Sequence, residues 1–269
     1  MTLANDTWIR DRLVEHGKQL FEARRLVGFT RDEAAKNEAA NALLNDLAGH
    51  PHAFVLACVM DRQVKAERAW LIPYRFQQKL GGDFSIQRLA SLTLPDVKKL
   101  MSEPEPLHRF ADKMGDFFHA ALRRIVQLYD SDASRIWRDK PSSADVVYRF
   151  LEFDGVGPKI ASMAANILAR TFKVPFADRF SIDISADVHV RRVFERLGLT
   201  TADASVEQLI FRARGLCPEF PGLMDLPAWE IGRQWCRPPN PQCTACYLSS
   251  GCPTAAQLTN DRDSSLRSE

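Results

Sequence analysis

The sequence lacks both a long apolar run and a strong excess of charge of one sign. No uninterrupted apolar stretch reaches the length of a membrane span. Residues 1–18 alternate charged and apolar side chains, so the apolar core of a signal peptide is also missing there. From these absences we expect a cytoplasmic protein in a reducing compartment with no membrane partner.

The formal net charge is only +2, from 36 Lys and Arg against 34 Asp and Glu. Such a balance excludes a uniformly basic surface, so any site for a polyanion must be a local patch. A hydrophobic content of 45% is ordinary for a globular protein, and 269 residues can bury one large core or two smaller ones.

Sustained alternation of apolar and polar residues is scarce, which argues against a sheet. Apolar residues instead recur at steps of three and four, and Thr93-x-x-Asp96 and Ser142-x-x-Asp145 are typical of helix starts. We predict an all-α protein of ten or more short helices. The polar residues 257–269 predict a frayed tail.

Cysteine is infrequent, but four of the six cysteines fall within seventeen residues. Packing does not require such a cluster, and the turn-forming prolines 238, 239 and 241 allow one loop to bring the thiolates together. Structural zinc usually shows two close cysteine pairs, whereas this loop has one Cys-x2-Cys between wider gaps, which favours an iron–sulfur cluster. Zinc and a pair of disulfides remain the alternatives. The four cysteines are Cys236, Cys243, Cys246 and Cys252.

A glycine turn, Gly155-Val156-Gly157, stands between two predicted helices and is followed by Pro158. Glycines leave backbone N–H groups open, and a turn that leads into a helix N-terminus can bind phosphate. This pattern is typical of a helix–hairpin–helix motif that contacts DNA without reading its sequence. An ordinary corner between helices is the alternative.

Asp187 stands where another helix is predicted to begin, before Val188-His189-Val190. Its carboxylate could cap that helix, or it could be a catalytic acid. Judged from these residues by themselves, capping is the favoured interpretation.

The hairpin, the aspartate and the cysteine loop occur in one order, and together they resemble the helix–hairpin–helix DNA glycosylase superfamily. The resemblance runs from about Phe54 to Pro253 and is closest to the iron–sulfur branch, with endonuclease III and the adenine-mismatch glycosylase. It implies an all-α protein with a six-helix barrel domain over residues 48–172, which carries the hairpin. Residues 1–47 and 173–269 would form an iron–sulfur cluster domain, with a DNA-binding cleft between the two domains.

The resemblance also implies a function in base-excision repair. The enzyme would flip a damaged or mismatched base out of double-stranded DNA and cleave its N-glycosidic bond, acting as a monomer. Lys159 matches the position of a nucleophilic lysine, which would add AP-lyase activity, and Asp187 matches the catalytic aspartate. The four cysteines would hold a [4Fe-4S] cluster. Two alternatives remain open, namely a glycosylase without lyase activity and a non-catalytic iron–sulfur protein that binds DNA or senses redox state.

The resemblance assigns further residues to DNA contact, but this sequence departs from the family at two places. Asp61 stands where the family has a glutamine that fills the gap left by the flipped base, and Arg62 or Gln63 could fill that gap instead. Residues 172–185 form an insertion relative to endonuclease III, either a loop over the cleft or a surface insertion; Asp178 and Asp183 within it are fallback candidates for the acid. The remaining expected DNA contacts are the hairpin residues Gly155, Val156 and Gly157, together with His189, Arg191 and Arg192.

Overall fold

A computed structural model describes residues 3–23 and 38–266, and within these ranges every regular element is helical. The all-α prediction is therefore confirmed. The fourteen α-helices of these residues are α1 Leu3–Glu22, α2 Glu38–Asn45, α3 Pro51–Met60, α4 Ala66–Trp70, α5 Ile72–Lys79, α6 Ile86–Ala90, α7 Leu94–Ser102, α8 Ala111–Leu128, α9 Ser143–Leu151, α10 Pro158–Arg170, α11 Val188–Arg196, α12 Val206–Leu216, α13 Asp225–Gln234 and α14 Pro253–Leu266. Short 3-10 helices lie at Ala133–Ile136, Pro221–Met224, Cys243–Ala245 and Ser249–Gly251.

The described residues divide into two compact units. Residues 38–177 form a central unit, and residues 3–23 with 178–266 form a terminal unit. This division differs from the predicted boundaries at α2 and at residues 173–177, because α2 packs against α3 and α5 of the central unit. Residues 24–37 of the predicted cluster domain lie outside the described residues.

The central unit is built around α3, all ten residues of which are buried. A helix that is apolar on every side belongs in the middle of a core. Phe54 of α3 is fully buried, and its ring lies 5.4 Å from Phe172 and 6.0 Å from both Trp70 and Trp137, measured between centroids. These packed aromatic side chains fix the position of the segment that follows α3.

The terminal unit packs α1, α11, α12 and α13 around an apolar core that includes Leu13, Phe194 and Ile231. Trp235 and the cysteine loop are partly buried against this core. The loop is therefore attached to the core of the unit and is part of its packing.

Helix starts follow the sequence signals. Thr93 and Asp96 form a reciprocal capping box at α7, and Ser142 accepts a hydrogen bond from the backbone of Asp145 at α9. The prediction of a frayed tail is wrong for residues 257–266, because α14 begins at Pro253 and continues through them. Pro253 suits the first turn of a helix, and Thr259 Oγ1 donates a hydrogen bond to the Ala255 carbonyl within α14. Among the described helices, none combines the length and the apolar character that crossing a bilayer requires.

Candidate nucleic-acid interface and metal centre

The predicted hairpin lies in the central unit, where α9 ends at Leu151 and α10 begins at Pro158. Gly155 has a φ of +85°, and a Cβ there would stand 2.8 Å from the Phe117 ring, so both conformation and space require glycine. Gly157 is the N-cap of α10 and has no side chain to cap it; a Cβ at this position would meet no atom within 4 Å. The turn therefore leaves an open approach to the N-terminus of α10, where backbone N–H groups attract anions.

Arg62, in the loop that follows α3, stabilises this turn. Its Nη1 donates a hydrogen bond to the Gly155 carbonyl, and its guanidinium carbon lies 5.4 Å from the centroid of the Phe117 ring. The Arg62 carbonyl in turn accepts a hydrogen bond of 2.9 Å from Nε2 of His108. Burial lowers the pKa of His108, which favours the neutral ring, and Nδ1 accepts a hydrogen bond from the Phe110 amide. Arg62 thus binds the protein's own backbone.

The three predicted gap residues differ sharply in environment. Asp61 is buried, with 7% of its side chain exposed, and its Oδ2 lies 4.0 Å from Nζ of Lys159, a side chain that is 46% exposed. Gln63 is exposed at the tip of the loop with a φ of +51°, and its carbonyl accepts a hydrogen bond from Arg109. Of the three side chains, Gln63 is the one placed toward solvent.

Asp187 lies in the terminal unit and caps α11. Its Oδ1 accepts hydrogen bonds of 2.9 Å from the backbone N–H groups of His189 and Val190. The sequence-based interpretation as a helix cap is therefore correct as structure, and both bonds use the same carboxylate oxygen. Since a carboxylate with one engaged oxygen keeps lone pairs on the other, capping does not exclude a second role.

The predicted DNA contacts on α11 are engaged within the terminal unit. Arg191 donates to the Ala204 carbonyl at 2.6 Å, and Arg192 donates to the carbonyls of Cys236 and Gly232 at 2.7 Å each. His189 Nδ1 lies 3.1 Å from Nη2 of Arg192. These contacts join α11 to α13 and to the start of the cysteine loop.

The fallback acid Asp183 forms a bidentate ion pair with Arg214, with distances of 2.8 and 2.9 Å. The hydrogen bond to Asp183 raises the pKa of Arg214. Two residues after Asp183, Ser185 donates hydrogen bonds from both its amide and its hydroxyl to Asp225. The second half of the predicted insertion is therefore anchored to the terminal unit. Asp178, the other fallback candidate, is the residue at which the chain enters the second segment of the terminal unit.

The four clustered cysteines line one cavity in the terminal unit. Its other walls include Val193, Leu197, Ile231 and Trp235, which make it largely apolar. Burial raises the pKa of Cys246 and of Cys252, while backbone N–H groups directed at their sulfurs act in the opposite sense.

The residues around this cavity suit thiolate ligation. Arg196 donates to Cys236 Sγ at 3.4 Å and to the Arg237 carbonyl at 2.9 Å. A cation and backbone amides directed at sulfur stabilise thiolates, and such groups are the usual surroundings of metal-bound cysteine. Four cysteines with these neighbours fit a group that takes four sulfur ligands. Within the residues described, no three His, Cys, Asp or Glu side chains converge closely enough to share a single ion.

The sequence did not predict the contact of Arg196 with the cysteine loop or the hydrogen bond from Arg62 to the Gly155 carbonyl. Arg196 follows Arg192 by four residues, so one face of α11 carries both side chains that contact the cysteine loop. That spacing was a usable signal. The contact between Arg62 and Gly155 spans 93 residues of sequence and left no local signal.

Comparison with known proteins agrees with this architecture. No protein-family model matches the chain. Endonuclease III of Thermotoga maritima is 29% identical over 153 residues, which are 56% of this chain and 64% of that protein. The match thus spans somewhat less than two thirds of the relative's length.

Solved structures give matches over nearly the whole chain. A non-covalent endonuclease III–DNA complex superposes with a TM-score of 0.63 at 19% identity, covering 97% of this chain and 99% of the other. A trapped covalent endonuclease III–DNA intermediate gives 0.62 at 17% identity, covering 96% and 99%. A thermostable thymine-DNA glycosylase gives 0.62 at 14% identity, covering 95% and 100%. At these identities the superpositions establish the fold. The chain is therefore similar in sequence to endonuclease III over part of its length, and it shares the fold of endonuclease III and of the thymine-DNA glycosylase over nearly all of it.

Proposed function

We propose that this protein is a base-excision DNA glycosylase with AP-lyase activity, acting as a monomer on double-stranded DNA that contains a lesion. The observation that carries the proposal is the open glycine turn leading directly into the helix that bears Lys159, within the fold of endonuclease III. The proposed location is the cytoplasm, associated with the nucleoid when the protein is on DNA.

The hairpin would bind the DNA backbone. Gly155, Val156 and Gly157 present main chain in place of long side chains, so phosphate oxygens can reach the N-terminus of α10. The positive end of the helix dipole adds to this attraction. Such a contact positions the duplex without selecting its sequence.

Gln63 is the proposed gap-filling residue of the loop after α3. A flipped base leaves a space in the stack that a protruding side chain can occupy. Asp61 is buried and Arg62 bonds the Gly155 carbonyl, whereas Gln63 is exposed and carries both a hydrogen-bond donor and an acceptor for base edges. The roles of Asp61 and Arg62 in DNA binding would then be indirect.

Lys159 would supply the nucleophile. Its neutral amine attacks C1′ of the extruded nucleotide, the C1′–N bond breaks, and the electron pair leaves with the base. Breaking of the C1′–O4′ bond opens the sugar ring, O4′ takes up a proton and stays on C4′ as a hydroxyl, and a Schiff base forms between Nζ and C1′. β-Elimination then removes a proton from C2′ and breaks the bond between C3′ and its phosphate oxygen, so that the phosphate leaves. That sequence produces base release and strand cleavage in one active site.

Asp187 would stabilise the positive charge that develops on the sugar, as carboxylates do in glycoside cleavage. The two helix-capping hydrogen bonds to Oδ1 fix the orientation of the carboxylate. A fixed charge costs no reorganisation when the reaction occurs. His189, Arg191 and Arg192 would support this region, with their intramolecular bonds setting the start of α11.

A [4Fe-4S] cluster, held by Cys236, Cys243, Cys246 and Cys252, is the proposed cofactor. When bound, such a cluster cross-links the loop through its four iron–thiolate bonds. The Arg196 contact to Cys236 and the amides directed at Cys246 and Cys252 favour deprotonated sulfur, whereas burial in the apolar cavity opposes it, so bound iron would have to supply the remaining stabilisation of the thiolates. Its proposed role is structural, since the loop joins α11 and α13 through Arg192.

A panel of duplexes with oxidised, deaminated, alkylated or mismatched bases tests the proposal. Each duplex is incubated with the protein and the products are resolved with and without alkali. Strand cleavage without alkali is the expected result for at least one lesion. Cleavage only after alkali would indicate a glycosylase without lyase activity, and no cleavage of any duplex would indicate an iron–sulfur protein that binds DNA without catalysis.

Two substitutions of Asp187 separate its proposed chemistry from its capping role. Asp187→Asn keeps a good helix cap, so stability should change little while base release falls by about 100-fold or more. Asp187→Ala removes the cap as well and should also cost about 1 kcal/mol of unfolding free energy. Single-turnover base release and urea unfolding measure the two effects; normal base release by the Asn variant would contradict the catalytic role.

A further inference from the structure

We propose that Asp61 is a positioning residue for Lys159, a role that rests on the proposed lyase function. The two side chains come from different elements of the central unit, Asp61 from the end of α3 and Lys159 from the first turn of α10. Oδ2 and Nζ are 4.0 Å apart.

The carboxylate is buried at the end of a buried helix. Asp61 follows directly after the fully buried α3, and its backbone N–H donates to the Cys58 carbonyl at 3.1 Å. The negative charge of Asp61 acts inside the core, because it raises the pKa of Cys58 further than burial does by itself. A buried charge acts through less solvent screening than a surface charge, so its pull on a nearby ammonium is stronger.

The lysine is the mobile partner. Nearly half of its side chain is exposed, and a four-carbon stem has many rotamers. An ion pair with a fixed carboxylate restricts those rotamers and keeps Nζ near the hairpin turn. The ion pair forms with the ammonium, and loss of a proton from Nζ then leaves the neutral amine already near its attack position, so less motion must be lost on the way to the transition state.

The adjacent residue supports this role. Arg62 donates a hydrogen bond to the Gly155 carbonyl, and Asp61 faces Lys159. Two consecutive residues therefore contact the chain before and after Gly157. The loop after α3 thereby sets the position of the turn and of the lysine together. This explains why a buried acidic residue occupies a loop assigned to the DNA-facing side of the protein.

Amine labelling of the free protein tests the ion pair without any DNA substrate. A limiting acylating reagent is applied, and modification of Lys159 is compared with that of Lys65, an exposed lysine of the same unit, by mass spectrometry. Asp61→Asn keeps the shape of the side chain and removes the charge, so labelling of Lys159 should rise about threefold while Lys65 is unchanged. Equal labelling of Lys159 in both proteins would overturn the inference.

Borohydride trapping on lesion DNA tests the consequence. Asp61→Asn should trap about tenfold more slowly at saturating protein, with Kd for DNA and the unfolding midpoint unchanged. Loss of structure would lower the unfolding midpoint. If the midpoint is unchanged, faster acylation of Lys159 together with slower trapping therefore indicates loss of positioning. Equal trapping rates would overturn the positioning role.

A second variant covers the case in which Asp61→Asn does not fold. Asp61→Glu keeps the charge, so its Lys159 labelling should match the wild type; labelling raised as far as in an unpaired lysine such as Lys65 would overturn the inference. If the wild-type protein traps no DNA while labelling still depends on Asp61, the lyase proposal fails and the ion pair stands. The two failures are therefore distinguishable.

Discussion

The hairpin region of the central unit and the cysteine cavity of the terminal unit differ in the interactions that stabilise them. Around the hairpin, backbone and side-chain hydrogen bonds satisfy one another, with Arg62 on the Gly155 carbonyl and His108 on the Arg62 carbonyl. Around the cavity, four thiols with no disulfide between them face a largely apolar space. A region of the first kind is stable through its own contacts, whereas the proposed cluster would supply the cross-links that the second region lacks.

The largest expected effect is loss of the proposed cluster. Cys246→Ser removes one sulfur from the cavity, so the variant should bind no cluster and the terminal unit should unfold at a much lower temperature, because metal binding contributes directly to folding. The central unit should keep its own transition. Absorbance near 400 nm, iron analysis and calorimetry measure these outcomes.

Cys217→Ser is the matched control for that variant. Cys217 is also a partly buried free thiol of the terminal unit, but it does not line the cavity. It should retain full iron content and a nearly normal transition. Equal loss of iron in both variants, or stoichiometric zinc without iron in the wild type, would contradict an iron–sulfur cluster held by the cavity cysteines.

An intermediate effect is expected from acid on the central unit. Burial lowers the pKa of His52 to about 4, and its Nε2 donates to the Phe84 carbonyl at 2.7 Å. The unfolded chain takes up a proton near pH 6.5 that the folded unit does not, so this contribution is complete above pH 6.5 and is lost as pH falls toward 4.

The expected loss is about 2–3 kcal/mol between pH 7 and pH 4. Urea unfolding of the central unit at several pH values, with iron absorbance followed in parallel for the terminal unit, measures it. His52→Gln should flatten the pH dependence of the central unit. A slope that persists in this variant would place the acid sensitivity elsewhere.

The smallest effect on stability distinguishes the two hairpin glycines. Gly155→Ala should destabilise the central unit by about 1–3 kcal/mol, because the residue has positive φ and its Cβ would meet the Phe117 ring. Gly157→Ala meets nothing, so its stability should stay within about 0.5 kcal/mol of the wild type.

DNA affinity should separate these variants in another way. A methyl group at Gly157 would obstruct a phosphate approaching α10, so affinity should fall about tenfold although the fold is intact. Urea unfolding and a binding titration at fixed salt are the two measurements. Full affinity in Gly157→Ala would show that the turn is an ordinary corner between helices.

Local features were predictable from the sequence, and long-range contacts were not. The capping box of Thr93 and Asp96 and the cap by Asp187 depend on neighbours within three residues. The cysteine loop was predictable because turn residues bring its four cysteines to one cavity. By contrast, the pairs Asp61–Lys159 and Asp183–Arg214 exist only because packing brings distant segments together.

The domain boundary was set by the same kind of packing. Helix α2 packs against α3, a contact that its own amphipathic pattern does not specify. The family resemblance placed Asp61 in a DNA-contacting loop, but it gave no reason to bury that side chain beside Lys159. The environment of the candidate nucleophile therefore had to come from the structure.

Borohydride trapping of Lys159→Arg against the wild type tests the central claim most directly. Arginine keeps the positive charge, yet it cannot form a Schiff base with the sugar. The wild-type protein should cross-link to lesion DNA, whereas the variant should bind the same DNA with similar affinity and form no cross-link. Trapping of the variant at the wild-type rate would contradict Lys159 as the nucleophile and with it the lyase mechanism.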